Sequence, residues 1–148
     1  MRIRKDEYYL ELARVASLRS TCLRRHYGAV IVKDDRVIAT GYNGAPRGCD
    51  NCCDKGYCAR SEVAHGTQYE LCRAIHAEAN AILQGTASDM IGATLYLYGE
   101  DVNGLVVSAE PCLMCKRLIL NAGIKAVFCR VSGIEVCVLY PDDWRDFL

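Results

Sequence analysis

The chain carries no surplus of either charge: its 148 residues hold 18 Lys and Arg against 18 Asp and Glu. That balance excludes a uniformly basic nucleic-acid surface. No basic stripe interleaved with aromatics appears either, so no polymeric nucleic acid is expected as a partner. Long apolar runs are missing, and none approaches the roughly 20 residues of a membrane helix, which predicts no membrane span. Proline is scarce, at 3 residues, and no convincing linker appears. There is no internal repeat and no low-complexity tract. Apolar residues make up 51% and charged residues 24%, which argues against disorder and for one domain over residues 1–148 with one core.

A secretory leader is also absent from the reading. Met1-Arg-Ile-Arg-Lys-Asp-Glu has charges but no apolar stretch behind them, so a cytoplasmic location with reduced thiols is expected. What the chain has in excess is cysteine, 10 residues of it. In a reducing compartment such cysteines are metal ligands or core residues more often than bridges. The two halves differ in charge. Residues 1–74 carry 13 Lys and Arg against 9 Asp and Glu, whereas residues 75–148 carry 5 against 9, so an anionic ligand is expected to meet the first half.

Tyr8, Leu12, Val15 and Ala16 recur at helical spacing and predict an amphipathic helix over 6–19. Gly28 to Val32 and Val37 to Thr40 read as strands joined by the polar turn Lys33–Arg36. Residues 41–66 are irregular, and a loop this long is usually functional or tied down. A helix runs up to Gly85 from a start between Glu70 and Ala77. Ala93–Tyr98 is a strand, and Asp101 to Gly104 looks like a turn. Pro111 opens a helix that Gly123 closes. Lys125–Val131 and Ile134–Leu139 are strands about a tight Ser132-Gly133 turn. The order αββαβαββ predicts a sheet covered by helices. Tyr8, Tyr9, Tyr96 and Tyr98 read as core or interface residues, Cys129 and Cys137 as core.

The strongest chemical signal is His76-Ala77-Glu78 followed by Pro111-Cys112-Leu113-Met114-Cys115. A catalytic zinc takes three protein ligands and keeps one position open, and one imidazole with two thiolates meets that count. C-x-x-C at a helix start puts both sulfurs near the positive end of the helix dipole, which favours thiolates. Glu78 need not bind metal to matter, since a carboxylate beside an activated water can accept and return a proton. The bland readings are a hydrogen-bonded core histidine at 76 and a structural half-site at 112 and 115. The combined pattern is the signature of zinc deaminases that act on cytosine or adenine.

On these motifs the chain resembles the cytidine deaminase superfamily and, within it, the deoxycytidylate (dCMP) deaminases. The resemblance covers about residues 8–130. It rests further on Ser20-Thr21-Cys22-Leu23-Arg24-Arg25, Thr40-Gly41-Tyr42-Asn43-Gly44-Ala45-Pro46, Glu70-Leu71-Cys72-Arg73 and Asn121-Ala122-Gly123-Ile124-Lys125. It implies a three-layer α/β/α sandwich with a mixed five-stranded sheet, and hydrolysis of dCMP to dUMP and ammonia, supplying dUMP for thymidylate synthesis. It assigns zinc to His76, Cys112 and Cys115 and proton transfer to Glu78. Asn43 is expected near the sugar and base, and the Ala77 backbone against the pyrimidine. It implies a homo-oligomer, with a hexamer favoured, regulated by dCTP and dTTP. Cys22, Cys52, Cys58 and Cys72 fall where the dCMP branch carries cysteines, some of which hold a second, structural zinc. Cys49, Cys53 and His65 are alternatives for any one of these positions. Arg24, Arg25 and Arg47 flank the expected pocket and are candidates for the substrate phosphate.

The chain departs from that pattern in three places. Tyr98 to Ala109 is longer than the family's usual link and is expected at the substrate rim. Glu110 precedes Pro111, as in guanine, tRNA-adenosine and riboflavin-pathway deaminases, which keeps another base, nucleoside or nucleotide open as substrate. Only Ser132-Gly133 separates the last two strands, so these are expected to pair antiparallel.

Overall fold

The computed structural model describes residues Met1–Leu148. Five strands, β1 (Arg25–Lys33), β2 (Arg36–Tyr42), β3 (Thr94–Asp101), β4 (Ala126–Ser132) and β5 (Glu135–Leu139), form one sheet in the order β2-β1-β3-β4-β5. Only β3 and β4 run parallel, so the sheet is mixed. Five helices accompany it: α1 (Lys5–Ser17), the short α2 (Cys52–Lys55), α3 (Ala77–Gln84), the short α4 (Ala87–Met90) and α5 (Leu113–Ala122).

The alternation of side chains along β1 and β3 separates the layers. Val30, Val32, Tyr96 and Tyr98 face α1, where Tyr9, Leu10 and Ala13 cover them. Ala29, Ile31, Leu95 and Leu97 face the other way, against Ala77 and Ala81 of α3 and Cys115 and Ile119 of α5. This is the expected α/β/α sandwich. Fully buried Leu10, Ile31, Leu95 and Ile119 each contribute roughly 1.5–3 kcal/mol. An exposed pair such as Arg145–Asp142 contributes about 0–1 kcal/mol, so burial rather than surface charge holds the layers. One ion pair is better placed. Arg130 on β4 is buried, and its Nη2 donates to Glu7 Oε2 of α1 at 2.7 Å, tying the helix across the sheet.

Several local expectations shift. The α1 stripe is rotated: Tyr9, Leu10, Ala13 and Ser17 are buried, while Tyr8, Val15 and Leu18 are exposed. The cause is Gly28, where an added Cβ would sit 1.9 Å from the Ala13 carbonyl oxygen, so small residues on α1 press directly on β1. The β1–β2 turn has Asp34 and Asp35 at φ 52° and 59°, the left-handed pair that a two-residue hairpin requires. Pro111 does not open α5; Cys112 is its N-cap and Leu113 its first residue. β4 and β5 do pair antiparallel, but the turn between them is Gly133-Ile134: Ser132 is the last residue of β4 and pairs with Glu135. Cys129 is core, but Cys137, opposite it on the edge strand β5, is only half-buried. The stretch expected at the rim mostly extends the sheet: β3 continues to Asp101, whose Oδ1 accepts from the Asn103 and Leu105 N–H groups, and the chain folds back with Val107 N–H on Gly99 O.

A second close approach sets up the site. A Cβ at Gly41 would meet the Ala77 carbonyl oxygen and the Ala81 nitrogen, both at 2.5 Å, so α3 lies directly on β2. Gly28→Ala and Gly41→Ala are each expected to cost roughly 1–3 kcal/mol of stability in urea unfolding. Only Gly41→Ala is expected to weaken metal retention, because it displaces the helix that begins after His76.

Candidate active site

Two helix starts meet beneath the sheet edge. His76 is the N-cap of α3 in extended backbone, and Cys112 is the N-cap of α5 in the same conformation. Helix α3 starts at the later of its two expected boundaries because the residues before it are held straight. Gly44 and Ile75 exchange backbone hydrogen bonds at 3.2 and 2.7 Å, and Asn80 Nδ2 donates to Tyr42 O at 2.8 Å. The chain therefore enters α3 pinned to the end of β2.

The donor atoms of His76, Cys112 and Cys115 lie within 4.8 Å of one another. His76 Nδ1 is 3.4 Å from Cys115 Sγ and 3.6 Å from Cys112 Sγ. Hydrogen bonding from Cys115, and then from His76, holds the Cys112 thiol well below the usual range, against the opposing effect of burial. The hydrogen bond it gives Cys112, together with burial, pushes Cys115 up. A divalent cation bound here would take both sulfurs as thiolates and displace any proton they hold. Hydrogen bonding to Cys112 raises His76, opposed by burial. One nitrogen and two sulfurs at this spacing fit zinc with one position left over.

Glu78, on the first turn of α3, is buried at 8% exposure, and that burial raises its carboxyl above the ordinary range. It lines the same cavity of about 350 Å³ as His76 and Cys112, within the roughly 300–1,000 Å³ usual for small-ligand sites. Asn43 and Ala77 also line it. Asn43 Oδ1 accepts from Tyr27 N–H at 2.9 Å and its Nδ2 donates to Arg25 O at 3.0 Å, so the side chain is locked on β1 with one N–H unspent.

The arginines part ways. Arg24 and Arg25 line the cavity; Arg47 does not and is exposed. Arg24 Nη1 donates to Arg60 O at 3.1 Å, whereas the guanidinium of half-buried Arg25 has no protein partner. Glu110 reaches the rim, but its carboxylate is paired with Lys116 at 2.9 Å, which leaves it poorly placed to read a base. Arg60, Tyr69 and Ser108 line the cavity too and were not singled out from the sequence. The place of Arg60 and Tyr69 between Cys58 and Cys72 was the signal available.

Of the four other candidate cysteines, Cys22, Cys58 and Cys72 lie near enough to Cys52 to act on its charge, but they are not drawn to within 4.8 Å of one another as His76, Cys112 and Cys115 are. The Cys52 thiol is buried and pushed up, first by that burial and then by neighbouring Cys22, Cys58 and Cys72. Arg24 N–H donates to Cys22 Sγ and Arg60 N–H to Cys58 Sγ, each at 3.4 Å. Arg73, beside this cluster, has a buried Nε without a partner. Cys49, Cys53 and His65 are exposed.

Comparison with known proteins agrees with this geometry. The family model for the cytidine and deoxycytidylate deaminase zinc-binding region matches residues 3–131. The chain belongs to this family. It is 44% identical to a deoxycytidylate deaminase of Mycobacterium phage D29, over 82% of this chain and 91% of that one. It is 40% identical to the deoxycytidylate deaminase of Schizosaccharomyces pombe, over 86% of this chain but only 37% of that longer protein. The structure of a dCMP deaminase from cyanophage S-TIM5 in complex with dCMP and dUMP superposes with a TM-score of 0.60 at 27% identity, covering 86% of this chain and 81% of that one. A cytidine deaminase from Burkholderia pseudomallei shares the fold, with a TM-score of 0.62 at 18% identity over 95% of each chain.

Metal analysis is expected to separate the roles within the cluster. Cys115→Ser is expected to lose about one zinc per chain, while Glu78→Gln keeps the wild-type content, as read by inductively coupled plasma mass spectrometry. Loss of zinc from Glu78→Gln would make the carboxylate a ligand.

Proposed function

We propose that the chain hydrolyses dCMP to dUMP and ammonia. The observation that carries this reading is the cluster of His76, Cys112 and Cys115 at a cavity that His76, Cys112 and buried Glu78 line and that also presents the unpaired Arg25. The names of the phage and yeast relatives support the same substrate.

His76, Cys112 and Cys115 would hold zinc, which supplies a Lewis acid that lowers the pKa of water from about 15.7 to about 7. Glu78 takes a proton from the attacking water and delivers it to N3 of the cytosine. Once the C4–O bond has formed, Glu78 takes the second proton from the new C4 hydroxyl and passes it to the amine, the C4–N bond breaks, and dCMP plus water becomes dUMP plus ammonia. Burial suits the carboxyl to this work, because a raised proton affinity lets it give a proton back as well as accept one. The Ala77 backbone at the start of α3 contacts the pyrimidine, and Asn43, braced on β1, offers its remaining N–H to the sugar. Arg25 receives the 5′-phosphate, with Arg24 behind it.

A second zinc is assigned to Cys22, Cys52, Cys58 and Cys72. The nearness of Cys22, Cys58 and Cys72 to Cys52 supports it, the four sulfurs would have to draw together around the ion, and it would clamp the irregular segment that walls the cavity. Cys58→Ser is expected to lower both zinc content and melting temperature; an unchanged metal count would remove this site. The reading extends to a cytoplasmic homo-oligomer, a hexamer, that responds to dCTP and dTTP. Exposed Tyr8, Val15 and Leu18 on α1 and Leu113 and Met114 on α5 offer apolar surface for assembly, which light scattering reads directly.

The substrate is tested by ammonia release from dCMP and deoxycytidine side by side. dCMP is expected to be preferred, and Arg25→Ala to raise KM for dCMP about 10- to 100-fold while leaving deoxycytidine unaffected. Glu78→Gln is expected to lose about 100- to 10,000-fold in kcat. No turnover of either compound would move the substrate to another base or nucleotide.

A further inference from the structure

Both short contacts of the His76 ring are made by Nδ1 to sulfur. The plane of a ligand imidazole is set by what surrounds the rest of the ring. An aromatic ring stands beside this one. Tyr69 meets His76 edge-to-face, with centroids 5.5 Å apart and planes at 82°.

Tyr69 is itself backed by a cation. The Arg60 guanidinium lies over its ring, with Cζ 4.7 Å from the centroid, inside the range of cation–π attraction. Arg60 is buried, at 8% exposure, and is fixed by hydrogen bonds rather than free to bind an anion. Its Nη2 and Nε donate to Thr67 O at 2.7 and 3.2 Å. Its backbone is fixed as well: the N–H faces Cys58 Sγ at 3.4 Å, and the carbonyl accepts from Arg24 Nη1 at 3.1 Å. At the other end, Cys72 N–H donates to Tyr69 O at 2.9 Å. Both members of the stack are therefore anchored to cysteines of the Cys52 cluster, and the stack ends on the catalytic imidazole.

We propose that Arg60 and Tyr69 are positioning residues: a strut of guanidinium over phenol ring, edge-to-face on the imidazole, that sets the His76 ring plane from the cysteine-rich segment. The inference rests on His76 being a zinc ligand. It makes the order of the irregular segment a condition for geometry at the metal, because loosening Cys58 or Cys72 frees the strut.

The test compares Tyr69→Leu, Tyr69→Phe and Arg60→Lys in the zinc-loaded full chain. Zinc release to a chromogenic chelator is followed alongside kcat, KM and melting temperature. The phase belonging to the catalytic metal is the one missing from Cys115→Ser. Tyr69→Leu is expected to release that zinc about tenfold faster and to lower kcat more than it raises KM. Tyr69→Phe, which keeps the ring, is expected to restore the wild-type release rate. Should Tyr69→Leu fail to fold, Arg60→Lys, which keeps the charge but loses the flat stacking face, carries the test with a smaller acceleration of release. A wild-type release rate in a folded Tyr69→Leu or Arg60→Lys, whatever the melting temperature, would overturn the strut. Wild-type protein lacking the Cys115-dependent phase would instead overturn the ligand assignment of His76.

Discussion

Two helices begin at one point in space, and the rest of the site depends on that meeting. The N-caps of α3 and α5 are His76 and Cys112, and the first turns beyond them carry Glu78 and Cys115. At helix starts the unspent N–H groups and the dipole favour anions, so thiolates and a carboxylate are stable where a cation is to be held. The fold brings the starts together by close packing. Gly41 lets α3 touch β2, and the parallel β3–β4 pair, linked through α5, sets that helix beside α3 on the same face.

The cavity wall comes from a different kind of structure. Residues between β2 and α3 make few regular elements and cannot be held by a ladder of backbone bonds. Local ties hold them instead. Arg60 gathers the Thr67 and Ala64 carbonyls, Asn51 accepts from Thr21 Oγ1 and Ala45 N–H, and Gly44 pairs with Ile75. Cys58 and Cys72 of this segment line the cavity, so order in the segment bears on the shape of the substrate site. A rigid sandwich thus supplies the metal ligands and Arg25, and a cross-tied loop supplies the wall that carries Arg60 and Tyr69.

The chemistry was legible in the sequence because its parts are local. His76 with Glu78, and Cys112 with Cys115, each fall within one turn of chain, so spacing alone places them together, and alternating β-branched runs marked the strands. What spacing could not show depends on contacts between distant segments. The apolar stripe on α1 pointed to Tyr8 and Val15, yet Ala13 and Ser17 face the sheet, because Gly28 admits a helix backbone at a distance that larger residues would forbid. Arg47 is near the expected pocket in sequence but points to solvent, while Arg60 and Tyr69, in an unpatterned stretch, reach the imidazole. The start of α3 was ambiguous until the Gly44–Ile75 bridge showed why the preceding residues stay extended.

Everything proposed for this chain turns on an open metal site made by His76, Cys112 and Cys115 and faced by Glu78. The most direct measurement is the visible absorption spectrum of the cobalt-substituted protein during titration with dUMP, the product of the proposed reaction. Cobalt at a site with an open position is expected to change the energy and intensity of its d–d bands as the nucleotide binds, whereas a closed four-sulfur site would not respond. A spectrum unchanged by bound dUMP would contradict the claim.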